Sequence, residues 1–340
     1  MAVTLKKLSE QVIVITGATS GIGLTTARKA ARQGASLVLV ARDKDALERL
    51  TAELKAAGAR AIHEAADVGN PEEVARVARS AIGEFGRVDT WVNNAGISIF
   101  GRLDQIPLED LHRLFQTNFW GVVHGSLEAV KLLRQSGGAL INIGSEVSDR
   151  AVPLQGMYSA SKHAVKGFTD ALRMELEKDG LPVSVTLIKP AAIDTMFTVH
   201  AKNYMDMEPT LPPPIYAPDL VANAILYAAE LPKRDVFVGG AAKMISVGAH
   251  HMPRAFDKYM DATMFDQQRS ARPSEPGRTD ALYASDPGTE LRERLGSEHK
   301  VAESCTYTAV SLRSKPLTLA LLGTGVLYAG WKYANRQRQP

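Results

Sequence analysis

Tyr158 and Lys162 stand four residues apart and form the pair in this 340-residue sequence best suited to proton transfer. Residues at positions i and i+4 share one face of a helix, so the ammonium group would lie close to the phenol. A free tyrosine has a pKa of about 10, and a neighbouring cation favours the phenolate, which brings the group toward neutral pH. The alternative is an ordinary surface pair, which stabilises a helix by about 0.3 kcal/mol and does no chemistry.

A glycine-rich turn lies far upstream, where Thr16-Gly17-Ala18-Thr19-Ser20-Gly21-Ile22-Gly23 follows an apolar run and opens a helical pattern. Glycine allows a tight turn and a close approach of the backbone to a pyrophosphate, and the start of a helix offers free N–H groups. A strand–helix turn without a ligand is the alternative. We predict a dinucleotide site formed by residues of this turn: Gly17, Thr19, Ser20, Gly21, Ile22 and Gly23.

The residues after the second predicted strand indicate which dinucleotide binds. An acidic residue at the end of that strand would bind the 2′-hydroxyl of the NAD ribose, but the sequence there is Val40-Ala41-Arg42-Asp43. Arg42 can pair with a 2′-phosphate, so we expect NADP to be preferred, with NAD as the less favoured cofactor. In the alternative interpretation Arg42 is a solvated loop residue and Asp43 caps the next helix.

Alternating strands and helices must hold these residues in place. Runs such as Val12–Ile15 and Leu37–Val40 are continuously apolar, which is typical of strands buried on both faces of a parallel sheet. The alternation predicts an α/β fold, namely a Rossmann-type, doubly wound, parallel seven-stranded sheet with right-handed crossovers. The predicted strands are Val12–Thr16, Ser36–Ala41, Arg60–Ala66, Val88–Asn93, Ala139–Ile143, Val183–Ile188 and Val236–Val238. The predicted helices are Gly21–Gln33, Lys44–Ala57, Pro71–Phe85, Leu108–Leu133, Tyr158–Glu177 and Asp219–Ala229.

Four separate motifs in this order resemble the short-chain dehydrogenase/reductase family. They are the glycine turn from Thr16 to Gly23, Asn93-Asn94-Ala95-Gly96, Ser145 and Tyr158-x-x-x-Lys162. The resemblance extends over roughly Leu8 to Gly240. It implies a catalytic set in which Tyr158 is the acid/base, Lys162 its partner, Ser145 the residue that holds the substrate oxygen, and Asn118 the mid-helix member.

The same resemblance implies further cofactor contacts and an oligomer. Asp67 and Val68 correspond to the position that contacts the adenine ring, and Asn93 supports the sheet beside the cofactor-lining residues Asn94, Ala95 and Gly96. Pro190, Ile193 and Thr195 correspond to the loop that reaches the nicotinamide, with Tyr158 and Lys162 also close to the cofactor. The family pattern has Pro-Gly in this loop, whereas this sequence has Pro190-Ala191, which puts the loop geometry in question. A dimer or tetramer through Leu108–Leu133 and Tyr158–Glu177 is implied as well.

The substrate should bind in loops at the carboxyl ends of the strands, together with Ser145 and Tyr158. Candidate loops are Ile97–Phe100, Val152–Met157 and Met196–Tyr216. The last of these contains several adaptable apolar side chains, which favours a lid over a lipophilic ketone or alcohol. They are Met196, Phe197, Tyr204, Met205, Met207, Leu211 and Ile215. Alternatively, these residues only pack against the body or a neighbouring subunit.

The chain changes character beyond the predicted catalytic domain, residues 8–264. Residues 265–315 are rich in polar residues, proline and glycine and indicate a linker or extension. Residues 316–340 contain the uncharged Leu317–Trp331 between basic flanks, which would span ~22 Å as a helix against a bilayer core of ~30 Å. This tail predicts either a membrane-associated helix or a helix that packs on the body or a partner.

Composition sets limits on partners and location. The net charge is +3, and five basic but no acidic residues follow Glu303, so the tail accounts for the positive balance and nothing favours nucleic acid. The histidines show no metal-ligand pattern, and we expect no metal site. Cys305 is the only cysteine, which excludes an intrachain disulfide. We expect a cytoplasmic protein, or one held at a membrane by its tail.

These observations together predict an NADP(H)-dependent oxidoreductase that interconverts a ketone or aldehyde and an alcohol. Two other classes remain. One is an epimerase or dehydratase that uses the same residues, and the other is a sensor or scaffold that binds NADP without turnover. The full set of Asn118, Ser145, Tyr158 and Lys162 argues against a pure binding protein, which has no chemical need for it.

Overall fold

Seven parallel strands form the central sheet. Their order across the sheet is Ala61–Ala65, Ser36–Ala41, Val12–Thr16, Thr90–Asn93, Gly138–Ile143, Val183–Pro190 and Asp235–Val238. The computed structural model describes residues 3–275, 277–297 and 299–313. The predicted doubly wound α/β fold is confirmed, and each of the seven predicted strands lies in this sheet. The strands, in chain order, are β1 (Val12–Thr16), β2 (Ser36–Ala41), β3 (Ala61–Ala65), β4 (Thr90–Asn93), β5 (Ile99–Phe100), β6 (Gly138–Ile143), β7 (Val183–Pro190), β8 (Lys202–Asn203), β9 (Met207–Pro209), β10 (Ile215–Tyr216), β11 (Asp235–Val238), β12 (Arg269–Pro273) and β13 (Val301–Ala302).

Helices cover both faces of this sheet. In chain order they are α1 (Gly21–Arg32), α2 (Lys44–Ala56), α3 (Pro71–Phe85), α4 (Leu108–Phe115), α5 (Gly121–Ser136), α6 (Gly156–Lys178), α7 (Phe197–His200), α8 (Pro218–Glu230), α9 (Gly240–His251), α10 (Pro253–Gln267) and α11 (Thr306–Arg313). The predicted helix Leu108–Leu133 is divided in the structure, because a π-helical stretch, Gln116–Trp120, separates α4 from α5.

The core consists of two apolar layers, one on each face of the sheet. Alternate residues of β1 enter opposite layers, since Ile13 and Ile15 pack in one and Val12 and Val14 in the other. The first layer also receives apolar residues of α1, α2 and α8, and the second receives those of α3, α5 and α6. Burial on both faces explains why the strands read as continuous apolar runs.

The chain beyond β11 packs on the body more closely than its polar composition predicts. Helices α9 and α10 follow the last sheet strand, and the sequence prediction contained neither. Residues 268–302 hold little regular structure, yet Gln268 and Leu282 are completely buried. Composition misses these contacts, because many of them are made by backbone groups and by arginines of the body.

Among the described residues, no helix has the length and apolar character needed to cross a bilayer. The predicted membrane-associated segment Leu317–Trp331 lies outside the described residues.

Replacement of Gly125 tests the packing that joins β4 to α5. A Cβ at this position would lie 2.1 Å from Oδ1 of Asn93 and 2.9 Å from Nε1 of Trp91, two atoms that hydrogen-bond to each other in the core. Gly125→Ala should therefore lower the free energy of unfolding by about 2 kcal/mol, measured by urea unfolding. The matched control is Gly83→Ala on α3, where a Cβ meets nothing within 4 Å and stability should rise by about 0.5 kcal/mol. Equal midpoints for the two variants would contradict this packing.

Candidate active site

The predicted site residues meet at the carboxyl edge of the sheet, around the point where the strand order reverses between β1 and β4. Connections leave β1 and β4 in opposite directions along the sheet, which opens a crevice above their ends. The glycine turn follows β1, Asn94 follows β4, Ser145 follows β6, and Pro190 ends β7. Sequence-distant motifs therefore border one crevice.

The glycine turn is tight enough to require glycine at several positions. Gly17 and Gly21 have φ angles of +65° and +51°, in the left-handed region that favours glycine. A Cβ on Gly23 would lie 1.9 Å from the carbonyl oxygen of Gly17. The turn thus brings bare backbone and the start of α1 to the edge of the crevice, which is the arrangement that a pyrophosphate needs.

Asn94 fastens this turn to the neighbouring strand. Its Nδ2 donates to the carbonyl oxygens of Thr16, at 2.9 Å, and Gly17, at 3.2 Å. In return, Oγ1 of Thr16 accepts the N–H groups of Asn94 and Ala95, at 2.9 and 3.1 Å. Asn93 lies deeper and bonds to Asn142 on the next strand, at 2.9 Å. The Asn93–Gly96 segment therefore forms the base of the crevice and is hydrogen-bonded to the end of β1 and to β6.

Two cavities occupy the crevice. The first, of about 210 Å³, extends from the glycine turn to Tyr158. The second, of about 100 Å³, lies between the glycine turn and the end of β2 and is lined by Arg42, Asp67 and Val68. Of the residues predicted to bind cofactor, those lining the first cavity are Gly17, Ser20, Gly21, Ile22, Asn94, Ala95, Gly96, Tyr158, Lys162, Pro190, Ile193 and Thr195. Thr19 lines the second, and Gly23 acts through the shape of the turn. The glycine turn and two connected spaces fit an extended dinucleotide.

Tyr158 and Ser145 face each other across the first cavity. Tyr158 lies in the first turn of α6, and the hydroxyl of Ser145 hydrogen-bonds to its phenol. Oγ of Ser145 also accepts the N–H of Val147 at 3.2 Å, which orients the serine at the start of a short 3₁₀ turn. The ring of Phe197 meets the tyrosine ring edge-on, with centroids 5.3 Å apart. Two hydroxyl groups are therefore held side by side in an enclosed space.

Lys162 lies under the tyrosine, as the i+4 spacing predicts, but it does not lower the phenol pKa as expected. Its Nζ donates to the carbonyl oxygen of Ile143 at 2.9 Å and lies 5.7 Å from the centre of the Tyr158 ring. Burial raises the pKa of Tyr158; the hydrogen bond from Ser145 opposes this shift and the charge of Glu146 adds to it. Burial also lowers the pKa of Lys162 to about 8. The distance and the loss of solvation explain the difference from the prediction.

Asn118 is completely buried at the centre of the π-helical stretch, a kind of irregularity that often marks functional sites. Its carboxamide clasps the backbone of Ile97, accepting the N–H at 2.8 Å and donating to the carbonyl at 2.8 Å. It also donates to Oγ of Ser161 at 3.2 Å. A Cβ on Gly96 would lie 3.5 Å from Oδ1 of Asn118 and 3.6 Å from Nζ of Lys162. The side chain thus fixes the backbone beside Lys162.

Arg42 and Asp67 line the second cavity, and Arg113 contacts Asp67. Arg113 from α4 binds Oδ2 of Asp67 at 2.6 Å and donates to the carbonyl oxygen of Leu282 at 3.0 Å. Arg42 donates to the carbonyl oxygens of Ala281, Leu282 and Ala284. Arg42 is therefore not a freely solvated loop residue. Asp43 does cap α2, accepting the N–H of Ala46 at 2.8 Å.

The loop after β7 keeps an ordinary backbone despite its alanine. Ala191 is not among the residues with positive φ, and its N–H donates to the carbonyl oxygen of Val238 at 2.9 Å. The doubt about loop geometry is therefore removed, because this position does not use the left-handed region. Thr195 packs close to the glycine turn. A Cβ added to Gly21 would lie 3.1 Å from the Cβ of Thr195.

The loops predicted to hold substrate contribute to the first cavity only in part. Met196, Phe197 and Leu211 line it, and Val152 and Gln155 do so from the second candidate loop. Tyr204 instead bonds through its hydroxyl to Asp110, and Ile215 is buried beside β13. Met264 and Gln268 also line the cavity, although they come from the region that the sequence assigned to the boundary and extension.

Glu146 and His200 are among the titratable residues of the crevice that sequence reasoning missed. Glu146 lines the first cavity beside Ser145, and burial raises its pKa to about 7. His200 lines both cavities and shares a hydrogen bond of 2.7 Å with Thr289, and burial lowers its pKa to about 4. The sequence could have indicated Glu146 as a site residue only through its position next to Ser145. No sequence pattern indicated His200.

Comparisons with known proteins agree with this geometry. A sequence model of the family described as short chain dehydrogenase matches residues 11–205. An uncharacterized oxidoreductase of Bacillus subtilis (strain 168), YxnA, is 47% identical over 337 residues, covering 98% of this chain and 93% of the relative. A putative oxidoreductase of Mycobacterium tuberculosis, SadH, is 33% identical over 264 residues, covering 74% of this chain and 94% of the relative.

Two solved structures are also similar. An alcohol dehydrogenase from the archaeon Thermococcus sibiricus, complexed with 5-hydroxy-NADP, is 30% identical with a TM-score of 0.59, covering 67% of this chain and 95% of that chain. A short chain dehydrogenase from Burkholderia cenocepacia J2315 in complex with NADP is 26% identical with a TM-score of 0.64, covering 75% and 99%. The family model covers more than half of the chain, and the four motifs on which the resemblance was based meet in one crevice. The chain belongs to the short-chain dehydrogenase family.

Proposed function

We propose that this protein is an NADP(H)-dependent oxidoreductase that interconverts a ketone or aldehyde and the corresponding alcohol, with Tyr158 as the acid/base. One observation carries the proposal. A single cavity is lined at one end by the glycine turn and at the other by the paired hydroxyls of Ser145 and Tyr158. A hydride carrier anchored at the turn would therefore share an enclosed space with a proton donor.

Ser145 and Tyr158 would act on the same substrate oxygen. During reduction that oxygen gains negative charge, and two preorganised hydroxyl donors stabilise it as the charge develops. The raised pKa keeps the phenol protonated at neutral pH, which is the form that donates a proton. When bound, the nicotinamide cofactor supplies or accepts the hydride.

Lys162 and Asn118 support this pair in different ways. Lys162 lies beneath the ring and donates to the carbonyl oxygen of Ile143, and because its pKa is lowered to about 8, its charge at this place depends on pH near 8. Asn118 has both ends of its carboxamide engaged with Ile97. We therefore assign Asn118 a positioning role beside Lys162.

The preference for NADP rests on Arg42. Its guanidinium lines the second cavity and lies close to Arg113, whose charge contributes to lowering the pKa of Arg42 after the larger effect of burial. The cation of Arg42 at this place favours a 2′-phosphate over a 2′-hydroxyl, whereas Arg113 is paired with Asp67. Both similar solved structures contain NADP or a derivative of it.

The cavity favours a lipophilic substrate that carries a polar group. Met196, Phe197, Leu211 and Met264 form an apolar wall. Glu146 interrupts this wall beside the reacting hydroxyls and suits a hydrogen-bond donor on the substrate. Flexible methionines would let the wall adapt to irregular shapes.

Replacement of Tyr158 separates an oxidoreductase from a protein that only binds the cofactor. Tyr158→Phe should reduce NADPH-dependent ketone turnover by about 10²–10⁴-fold, because the proton donor is lost, while NADPH binding stays within about threefold. Absorbance at 340 nm and nicotinamide fluorescence measure the two quantities. Tyr259→Phe on exposed α10 is the control and should behave like the wild type. Binding without turnover on any ketone or alcohol, in the wild type, would favour the sensor or scaffold class, and cofactor-dependent turnover without net redox would favour the epimerase or dehydratase class.

Replacement of Arg42 tests the choice of cofactor. Arg42→Ala should reduce the preference for NADPH over NADH by at least about tenfold, because the 2′-phosphate loses a charge-assisted partner. The substitution also releases residues 281–284, which affects the binding of both cofactors, so the ratio of the two Kd values is the diagnostic quantity. Arg102→Ala, on an exposed loop, is the control. An unchanged ratio would reject Arg42 as the reader of the 2′-phosphate.

Glu146 should make stability depend on pH. Its folded-state pKa of about 7 lies above the unfolded value of about 4.3, so its contribution to the free energy of unfolding is complete below pH 4 and lost as pH rises through 7. Glu146→Gln should therefore match the wild type near pH 4 and exceed it by about 3 kcal/mol at pH 8 in urea unfolding. Exposed Glu175→Gln is the control. A difference that does not change with pH would contradict this assignment.

A further inference from the structure

A segment of the extension crosses the second cavity and closes it from outside. We call residues 281–294 the C-terminal strap. Leu282 is completely buried in an apolar cluster with Ile97, Leu111 and Leu114. Its carbonyl oxygen accepts hydrogen bonds from both Arg42 and Arg113, at 3.3 and 3.0 Å. The first half of the strap is therefore fastened to the arginines of the cavity.

The second half of the strap is fastened to the glycine turn. The N–H of Leu291 donates to the carbonyl oxygen of Thr19 at 2.8 Å, and the N–H of Gly21 donates to the carbonyl oxygen of Arg292 at 3.0 Å. Glu293 then forms an ion pair of 2.7 Å with Arg28 on α1. Contacts on both sides thus fix the position of the residue between them, Glu290.

Glu290 lies at the second cavity, and within the described residues one of its carboxylate oxygens has no hydrogen-bond partner. The residue lines the second cavity together with Arg42 and Asp67. Its Oε2 atom is buried, and within the part of the chain that the structure describes no donor contacts it. The nearby hydroxyl of Thr19 favours the ionised form and so lowers the pKa of the carboxyl group. A buried acceptor without a donor costs free energy, so this atom is suited to a hydroxyl group of a ligand.

The surrounding charges act on Glu290 in both directions. Burial is the main cause that raises the pKa of its carboxyl, and the charges of Asp43 and Asp286 add to it, while Thr19 and Arg42 favour the ionised form. An ionised carboxylate attracts a hydroxyl donor and repels a phosphate dianion a few ångströms away. Arg42 on the same cavity has the opposite preference.

We propose that Glu290 contacts the adenosine ribose of the nicotinamide dinucleotide and opposes Arg42 in the choice of cofactor. The C-terminal strap then carries a determinant of cofactor choice that lies about 270 positions from the glycine turn in sequence. A ribose hydroxyl would donate a hydrogen bond to Oε2 of Glu290. A 2′-phosphate would instead be attracted by the guanidinium of Arg42 and repelled by the carboxylate of Glu290. This inference rests on the proposed function only in that a nicotinamide dinucleotide occupies the crevice.

Direct binding tests the inference without any need for a substrate. At pH 8, Kd values for NADPH and NADH are measured by nicotinamide fluorescence with wild type and Glu290→Gln. The variant should bind NADPH about tenfold more tightly relative to NADH than the wild type does, because a repelling charge is removed. Glu290→Ala should change the ratio in the same direction, and thermal unfolding verifies that both variants are folded.

Glu293→Gln is the matched control, because it removes the same charge from the same strap outside the cavity. It should shift both Kd values together and leave their ratio unchanged. An unchanged ratio in Glu290→Gln and Glu290→Ala, or a shift toward NADH, would overturn the inference while leaving the proposed function intact. A wild type that binds neither dinucleotide would overturn both. A ratio that changes equally in Glu293→Gln would also overturn it, since the effect would then belong to the strap as a whole.

Discussion

The carboxamide of Asn94 holds together the two strands between which the whole site opens. It donates to the carbonyl oxygens of Thr16 and Gly17, while the hydroxyl of Thr16 receives the N–H groups of Asn94 and Ala95. The connections that follow β1 and β4 lead in opposite directions along the sheet and leave the crevice between them. The hydrogen bonds of Asn94 and Thr16 hold the two strand ends together at this point. The glycine turn depends on the same contact, since a Cβ on Gly23 would lie 2.7 Å from Nδ2 of Asn94. One amide thus sets the distance between the cofactor-binding turn and the residues that lead to the reacting hydroxyls.

The extension completes a crevice that the sheet leaves open. Backbone carbonyl oxygens of the strap accept hydrogen bonds from Arg42 and Arg113. Other backbone groups of the strap hydrogen-bond to the glycine turn at the start of α1. On the other side, Gln268 donates to the carbonyl oxygen of Pro153 and bonds to Gln155, both in a loop beside the first cavity. Glu146, Tyr158 and Lys162 all line the first cavity, and loss of solvation is the main cause of the shift in the pKa of each.

The sequence predicted the sheet well because each strand is a continuous apolar run, as Val12–Ile15 shows, and such runs need burial on both faces. The catalytic set was equally accessible, since Tyr158 and Lys162 carry their geometry in their spacing. The break in the helix at Gln116–Trp120 could not be predicted, because a single π-helical turn hardly changes the spacing of apolar residues. The strap was missed for a different reason: its anchors are carbonyl groups, which every residue possesses, and no side-chain pattern records where they bind. Glu290 looked like one polar residue among many.

Two carboxyl groups that form no ion pair within the described residues, those of Glu146 and Glu290, line the two cavities of the crevice. Glu146 lies beside the reacting hydroxyls, and Glu290 lies at the adenosine end, each lining a cavity rather than an ion pair. Burying a carboxyl without a cation lowers stability, so such groups are expected where a ligand supplies the missing partner. Their positions differ in origin, because Glu146 follows a sheet strand whereas Glu290 arrives from the extension. The residues proposed to perform the reaction are therefore held by the sheet, whereas the residue proposed to act on cofactor choice comes from the extension.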